Sequence, residues 1–377
     1  MRGSITKKGK TYSIIVDIGK VNGKRKQKWF NGFRTKKEAE NKLTEILSQL
    51  KNNSYIEPTK ITLAEFLEKW LEECAKPNIT VTTYSGYSVN IKKHIIPHIG
   101  SIVLQELHPI QIQNFYNSLS QNGKCNSKGA LSPRSIQYIH MVLRQALEYA
   151  YKMQLIPRNV ADMVKIPKQK KYIPNFLSND EINNLLKIFK DTSIYMPVLL
   201  AVGIGLRRGE ALALKWSNID LENKIIYINE NLIPTKEGAI FSTPKTDSSK
   251  REIIVPENII IELVKLKETQ ENNKKLLGKG YINNDLVCCY NNGKNFSPGA
   301  FSHLFSDILK RNNFRHIRFH DLRHTNATLM LKANISPKVA SVRLGHSKVS
   351  TTLDIYSHVV KEMQEEAAEK INDFFIC

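Results

Sequence analysis

The 377-residue chain carries 56 Lys and Arg against 35 Asp and Glu, a net charge of +21; this excess predicts a polyanionic partner, nucleic acid ahead of an acidic membrane surface, and the length predicts two or three domains. Its five cysteines form no C-x-x-C pair, which excludes a zinc ribbon, and their odd number argues against a disulfide framework and fits the reducing cytoplasm. The start, "MRGSITKKGKTYSIIVDIGK", shows neither the apolar segment nor the cleavage site of a signal peptide, and the longest apolar run, "MPVLLAVGIGL", is too short to span a membrane, so we expect a soluble protein that is not exported.

The first fifty residues, with thirteen basic and four acidic side chains, predict a three-stranded sheet followed by a helix. The strands are "GSITK", "TYSIIVDI" and "KRKQKWF", and an Asn22-Gly23 turn joins the last two. The helix begins at a capping box of Thr35 and Glu38 and carries apolar residues at helical spacing. We expect this helix to cover one face of the sheet.

The opposite face of the sheet is expected to be cationic. Lys24, Lys26 and Lys28 alternate along the third strand and so project from one side. Because a β-ribbon of this width fits the major groove, these three lysines are predicted to bind DNA. The alternative is a solvated basic hairpin, which is the usual state of a run of charges.

Residues 60–165 predict an all-α domain. Thr62 and Glu65 form a second capping box, and "SPRSIQYIHMVLRQALEYAYKM" has apolar side chains at helical spacing. The stretch 164–174, "VKIPKQKKYIP", combines prolines with lysines and reads as an exposed linker lying along a polyanion. A domain boundary is therefore predicted there.

Residues 174–377 predict a mainly α-helical domain with a small antiparallel sheet. Ser178 and Glu181 cap its first helix, and the β-branched runs "KIIYI" and "REIIVP" predict strands around a turn-rich centre. The whole chain is predicted to be a multidomain α+β protein with its domains at 1–55, 60–165 and 174–377.

Four short stretches of the third domain gather cations. Arg207 in "GIGLRRGEALALKW" lies at a helix start, where backbone N–H groups already favour an anion. His320 and Arg323 in "RFHDLRHTNATLMLKANI" share one helical face. Lys245 lies at the tip of a predicted hairpin in "FSTPKTDSSKREIIVP", and His346 follows a helix-breaking glycine in "RLGHSKVSTTLDIYSHV". Taken singly, each residue is more often a surface residue than a catalytic one.

In this order, "GLRRGE", "PKT", "HDLRH", "LGH" and a terminal tyrosine resemble the motifs of the tyrosine recombinase or phage integrase family. The motifs span residues 203–358. The basic sheet and the helical middle resemble, by pattern, the arm-binding and core-binding domains of integrases from lambda-like phages and conjugative transposons. Asp247 departs from the basic or neutral residue that many relatives have. The resemblance implies a catalytic set of Arg207, Lys245, His320, Arg323, His346 and the nucleophile Tyr356.

The chemistry of a phosphodiester attacked by a tyrosine oxygen fits these roles. Arg207, Arg323 and His346 can hold the charge that develops on the non-bridging oxygens. The pKa of tyrosine is ordinarily about 10, so a base must take its proton, and His320 is the candidate. Lys245, with a pKa lowered by other cations, can protonate the departing 5′ oxygen. The covalent intermediate retains the bond energy, so neither ATP, a metal nor another cofactor is expected.

The resemblance also implies what the enzyme acts on. It implies a site-specific recombinase that integrates and excises a mobile element, acting as a homotetramer on core and arm sites of double-stranded DNA with accessory bending or excision factors. The tail beyond Tyr356 has an apolar helical stripe, which is expected to pack on its own domain or to dock on a neighbouring protomer.

Three alternative interpretations draw on residues of this domain. A type IB topoisomerase shares the catalytic set but relaxes supercoils as a monomer, and a non-catalytic DNA-binding regulator would keep the domains without the chemistry. A metal site of His316, His320 and His324, spaced four apart, is disfavoured because neighbouring arginines oppose a divalent cation. Asp321 is expected to cap the helix start instead.

Overall fold

The computed structural model describes residues 3–21, 24–51, 55–125, 129–169, 176–235, 238–243, 250–346, 348–350 and 352–353, and it describes the side chains in these ranges except those of residues 18–26. The chain divides into two compact units, Met1–Lys170 and Lys171–Cys377. Within the described ranges, no helix combines the length and the apolar character needed to cross a lipid bilayer.

The first unit begins with the predicted antiparallel sheet and helix. Thr35 Oγ1 accepts the backbone N–H of Glu38 at 3.2 Å, which satisfies one of the free donors in the first helical turn. The elements are β1 (Gly3–Lys8), β2 (Thr11–Val21), β3 (Lys24–Phe33) and α1 (Lys36–Lys51), with the strands paired in chain order. α1 covers one face of the sheet around a core of Ile14, Val16, Ala39, Ile46 and Leu50.

The predicted placement of Lys28 on the open face of this sheet is wrong. Lys28 is in register with Val16, and directly opposed residues of an antiparallel pair project from the same face. Because Val16 is fully buried in the core under α1, Lys28 lies on the covered face, where its ammonium forms a 2.8 Å ion pair with Glu57. The side chains of Lys24 and Lys26 lie outside the described part of the chain.

The rest of the first unit is helical, as predicted. The Thr62–Glu65 capping box is complete, because Glu65 N–H donates to Thr62 Oγ1 at 3.3 Å and Thr62 N–H donates to Glu65 Oε2 at 2.8 Å. The α-helices are α2 (Leu63–Lys69), α3 (Val81–Asn90), α4 (Ile96–Ile99), α5 (Pro109–Asn122) and α6 (Pro133–Lys152). π-helical turns follow α2 and α3 at Trp70–Ala75 and Ile91–Ile95, and 3-10 turns lie at Lys76–Asn78, Leu104–Glu106 and Val160–Met163.

The second unit is mainly helical. The predicted capping box of Ser178 and Glu181 begins its first helix. Its helices are α7 (Asn179–Phe189), α8 (Tyr195–Ile204), α9 (Arg208–Ala213), α10 (Glu257–Leu277), α11 (Pro298–Arg311), α12 (Phe319–Lys332) and α13 (Pro337–Leu344), with 3-10 turns at Trp216–Asn218 and Gly278–Gly280. α8 is apolar on all sides and almost wholly buried, so it forms the centre on which α7, α9, α10 and α12 pack.

Two small antiparallel sheets complete this unit. Its strands are β4 (Ile219–Asp220), β5 (Ile225–Ile228), β6 (Asn231–Thr235), β7 (Gly238–Ser242) and β8 (Arg251–Ile254). One sheet has the order β4-β5-β8 and the other is the pair β6-β7. The predicted hairpin tip around Lys245 lies outside the described residues, and the strands on either side of it, β7 and β8, belong to different sheets. β8 pairs with β5 because Ile226 and Ile253, which lie opposite each other, are both buried in the core.

Candidate active site

Arg323 is the most deeply buried cation of the predicted catalytic set that the structure describes. It lies in the first turns of α12, with 2% of its surface exposed. Its Nη1 donates to the carbonyl oxygen of Gly205 at 2.7 Å, and its Nη2 donates to that of Leu344 at 2.5 Å. Burial lowers the pKa of the Arg323 guanidinium to about 9, and the positive charge of Arg207 acts in the same direction. The group is still a cation at neutral pH.

Arg207 reaches the same place from the start of α9. Its Nη2 donates to the carbonyl oxygen of Gly345 at 2.7 Å, and its Nη1 donates to Glu210 Oε1 at 2.6 Å. The Glu210 carboxylate also accepts the backbone N–H of Arg207 at 2.9 Å, so the local helix start fixes both ends of the arginine. The side chain is 34% exposed, which leaves part of the guanidinium open to a ligand.

Two left-handed glycines end the helices that supply these carbonyl groups. Gly205 caps α8 with φ +73°, and Gly345 caps α13 with φ +66°. A Cβ at Gly205 would approach Leu344 Cδ2 to 2.4 Å, so a side chain there meets both backbone strain and a steric clash. The glycines therefore allow the ends of α8 and α13 to bring negatively polarised carbonyl groups to the arginines.

The two histidines of the site are neutral at pH 7. Packing around the His320 ring, with the charges of His324 and Arg323, lowers the pKa of its imidazole to about 4. Burial and the charges of Arg323 and Arg207 lower the pKa of His346 to about 3. The rings of His320 and His324 meet edge to face with their centroids 4.8 Å apart. His346 Nδ1 forms a 2.8 Å hydrogen bond with Thr352 Oγ1, which orients the ring.

The structure thus brings together four residues of the predicted set, Arg207, His320, Arg323 and His346. Lys245 and Tyr356 lie outside the described residues. A cavity of about 480 Å³ opens beside Arg207 and His320. Two guanidiniums and neutral imidazoles can donate several hydrogen bonds to one tetrahedral anion, so the arrangement fits a phosphate group.

Other cations near the start of α12 are engaged elsewhere. Arg315 pairs with Glu181 at 2.5 Å, and Arg318 pairs with Asp321 at 2.8 Å. Asp321 also accepts the backbone N–H of Arg318, which confirms its predicted capping role. Among the residues that the structure describes, no group of three or more His, Cys, Asp or Glu is arranged to hold a metal ion.

Glu210 and Arg251 are structural parts of the site that the motif pattern did not predict. Arg251 lies on β8 with its side chain 5% exposed and in contact with Glu210. A signal for it exists in the sequence, because strand side chains alternate and Arg251 is in phase with Ile253 and Val255, both buried. An arginine in the inward register of a strand predicts a buried ion pair.

Acid is expected to destabilise the second unit through His320 and His346. Their folded-state pKa values of about 4 and about 3 lie below the ordinary 6.5. The contribution of the two neutral histidines to the free energy of unfolding is complete above the ordinary pKa. It is lost as the pH falls, because the unfolded chain then binds protons that the folded chain excludes. Thermal unfolding between pH 7.5 and pH 5 should therefore show a falling Tm. The Tm of the His320→Asn/His346→Asn variant should fall less over this pH range than the Tm of the wild type. An equal fall in both proteins would show that these histidines are not the cause.

The fold and the pocket define an enzyme that handles a phosphate group, and comparison with known sequences specifies the class. The sequence model of the phage integrase family matches residues 175–363. The N-terminal SAM-like domain of phage integrases matches residues 62–120, and an arm DNA-binding domain matches residues 3–50. The chain therefore belongs to the phage integrase family, and it is a site-specific tyrosine recombinase.

Individual relatives agree with this assignment along the whole chain. A tyrosine recombinase XerC-like protein of Caldanaerobacter subterraneus subsp. tengcongensis is 31% identical over 392 residues, 98% of each chain. The integrase of Staphylococcus phage L54a is 28% identical over 86% of this chain and 97% of its own. The ICEBs1 integrase of Bacillus subtilis is 25% identical over 90% of each.

Solved structures show the same fold. The Tn1549 transposon integrase in complex with transposon right end DNA superposes with a TM-score of 0.67 at 19% identity, covering 81% of this chain and 99% of that chain. A lambda integrase dimer bound to a COC′ core site gives a TM-score of 0.57 at 19% identity over 93% of each chain. The multidomain α+β architecture predicted from the sequence is confirmed.

Proposed function

We propose that this recombinase integrates and excises a mobile genetic element by cutting and rejoining double-stranded DNA through a 3′-phosphotyrosine intermediate. The observation that carries the proposal is the convergence of Arg207, Arg323 and His346 at the ends of α8 and α13, where main-chain carbonyl groups hold the two guanidiniums and the charges of both arginines act on His346. The phosphate of the DNA backbone takes the place next to these donors. Integrases among the relatives and the family assignment support the choice of a mobile element as substrate.

The proposed reaction is a transfer of the phosphoryl group between two oxygens. The oxygen of Tyr356 bonds to phosphorus, and the bond to the 5′ oxygen breaks. His320 takes the tyrosine proton, because its imidazole is neutral at pH 7 and has a lone pair to accept it. Lys245 gives a proton to the 5′ oxygen. Arg207, Arg323 and His346 hold the charge on the non-bridging oxygens, which is greatest in the transition state.

The acid role of Lys245 gives a testable prediction. Lys245→Ala is expected to slow single-turnover cleavage by about 10²–10⁴-fold, because the 5′ oxygen then leaves without a proton. A substrate with sulfur in place of that oxygen should restore the rate, since a thiolate leaves without protonation. The rescue is measured by comparing the single-turnover cleavage rates of wild type and Lys245→Ala on both substrates. Failure of the sulfur substrate to rescue the variant would remove Lys245 from the acid role.

Arm sites are the proposed target of residues 1–55. The open face of the N-terminal sheet presents Trp29, 52% exposed, directly opposite Ile15. An exposed tryptophan on a sheet that also has a high positive charge suits contact with base edges flanked by phosphates. We keep Lys24 and Lys26 as proposed phosphate contacts. Lys28 can join them only by leaving its ion pair with Glu57.

Deletion of residues 1–55 is expected to separate the two kinds of DNA site. The shortened chain should lose protection of arm sites and keep protection of core sites in nuclease footprints, because the proposed core-binding and catalytic domains at 60–165 and 174–377 remain. Full-length binding should also weaken steeply with salt, since each phosphate contact releases a counterion. Persistent arm protection by the shortened chain would contradict the assignment.

The proposed assembly is a homotetramer in the cytoplasm that holds two duplexes and exchanges strands through a Holliday junction, with accessory DNA-bending or excision factors choosing the direction. The tail beyond Tyr356 lies outside the described residues. We propose that its apolar stripe docks on a neighbouring protomer. A chain ending at residue 360 that still forms tetramers on DNA would contradict this docking.

A recombination assay distinguishes the proposal from its rivals. Purified protein is incubated with two plasmids that carry the ends of the element, and with a supercoiled plasmid that carries no such site. Joint products from the first pair support a recombinase. Relaxation of the plasmid without sites would favour a type IB topoisomerase, and binding without any covalent product would favour an inactive regulator.

A further inference from the structure

Arg251 is a buried cation to which the proposed reaction gives no role. Its guanidinium donates from Nη2 to Glu210 Oε2 at 2.9 Å and from Nη1 to Glu210 Oε1 at 3.1 Å. Its Nε donates to the carbonyl oxygen of Arg343 at 2.9 Å. Two parallel bonds between a guanidinium and a carboxylate fix orientation as well as distance. Arg251 therefore joins β8 rigidly to α9 and to the end of α13.

Glu210 connects Arg251 with Arg207. Burial by itself raises the pKa of the Glu210 carboxyl, but the hydrogen bonds and charge of Arg251, together with the charge of Arg207, outweigh burial and hold the pKa at about 2. The carboxylate is therefore ionised at neutral pH. Two guanidiniums share this one negative charge, and the group of three has a net charge of about +1.

This sharing determines how much positive charge Arg207 can offer to a phosphate. Arg251 holds both oxygens of Glu210, while the side chain of Arg207 bonds one oxygen of it and a carbonyl group. If Arg251 were removed, Arg207 would still be bonded to the buried Glu210 carboxylate, and it would be the one cation among the described residues that remains bonded there. A buried charge left with a weak partner is strongly unfavourable, so Arg207 would turn toward Glu210 and away from the substrate.

We propose that Arg251 is a positioning residue: it neutralises Glu210 and so keeps the charge of Arg207 available to the scissile phosphate. Its bond to the carbonyl group of Arg343 also fixes the end of α13, close to Gly345 and His346. The inference rests on the proposed function, because it assigns a role toward the same phosphate. Glu210 and Arg251 then act as a pair, and Arg207 needs this pair in order to stabilise the charge on the scissile phosphate.

The charge of the scissile phosphate provides the test. Full-length Arg251→Met is compared with wild type on a suicide DNA substrate, once with the ordinary phosphate and once with a neutral methylphosphonate at the scissile position. We expect about 10²-fold slower cleavage of the ordinary substrate. On the neutral substrate the two proteins should differ by less than about fivefold, because no full charge needs to be balanced there. A purely structural defect would slow both substrates equally.

A second variant tests the pairing directly. In Glu210→Gln/Arg251→Met the buried negative charge is absent, so cleavage of the ordinary phosphate should recover at least about tenfold over Arg251→Met. Arg315→Met is the matched control, since Arg315 forms an exposed ion pair with Glu181 and is expected to leave cleavage unchanged.

The possible outcomes separate this inference from the proposed function. Equal losses on both substrates, or no recovery in the double variant, would overturn the role of Arg251. If Arg251→Met shows no cooperative thermal unfolding, Arg251→Lys and the double variant carry the same comparison. Absence of any adduct with the wild-type protein would overturn the proposed function instead.

Discussion

Tyr356→Phe is expected to abolish covalent attachment of the protein to DNA. The substitution keeps the aromatic ring and removes the oxygen that the proposed reaction bonds to phosphorus, so the rate should fall on the order of 10⁴-fold or more. A suicide DNA substrate, nicked beside the cleavage position, traps the intermediate because the short 5′ product diffuses away. Wild type should give a protein–DNA band on a denaturing gel, and the variant should give none.

The control for this experiment is a tyrosine of the same unit that belongs to none of the motifs. Tyr227 on β5 is 38% exposed, and Tyr227→Phe should form the adduct at the wild-type rate. Gel-shift binding of the uncut substrate should be equal for all three proteins, because the removed hydroxyl acts in the chemical step. An adduct formed by Tyr356→Phe would assign the nucleophile to another residue.

Local signals in the sequence predicted the helices well. A capping box requires only residues three apart, and the predicted boxes at Thr62 and Ser178 are complete in the structure. The β-branched runs "KIIYI" and "REIIVP" predict strands, and the structure pairs them as β5 and β8. The separate β6–β7 pair that lies between them in the chain is not predicted, because strand pairing depends on a core shared by residues that are distant in sequence.

The open face of the N-terminal sheet shows a similar limit. Alternation along β3 correctly groups Lys28 with the residues two positions away, and Phe30 is one of them. Phe30 packs against the core under α1, so the same alternation places Lys28 on the covered face. Charge alone suggested the opposite face, and weighing the apolar neighbour would have corrected it.

Sequence motifs predicted part of the candidate site. They missed the residues whose role depends on burial and on contacts between distant segments. Arg207, Arg323 and His346 were assigned from motif order, and the structure brings them together. No motif pointed to the Arg251–Glu210 pair, because its function depends on a contact between β8 and α9. The alternation of side chains along β8 puts Arg251 in phase with Ile253 and so predicts that Arg251 is buried. It does not predict that Glu210 is its partner.

Arg323→Lys is expected to lower single-turnover cleavage by about 10²–10³-fold while DNA binding changes little. Arg323 uses Nη1 for the Gly205 carbonyl group and Nη2 for that of Leu344, and its planar fork still has N–H groups for a phosphate. A lysine carries three donors on a single atom and cannot span both carbonyl groups while reaching a third acceptor. The charge is retained, so the loss measures geometry.

The stability of this variant supplies the second measurement. One buried carbonyl group left without its donor costs about 1–3 kcal/mol, so the Tm of Arg323→Lys should fall by several degrees. Arg315→Lys is the control, because Arg315 forms an exposed pair with Glu181, worth about 1 kcal/mol or less, and should cleave normally. If Arg323→Lys cleaved at the wild-type rate, positive charge alone would suffice at this position, and the fixed fork between the ends of α8 and α13 would have no part in holding the phosphate.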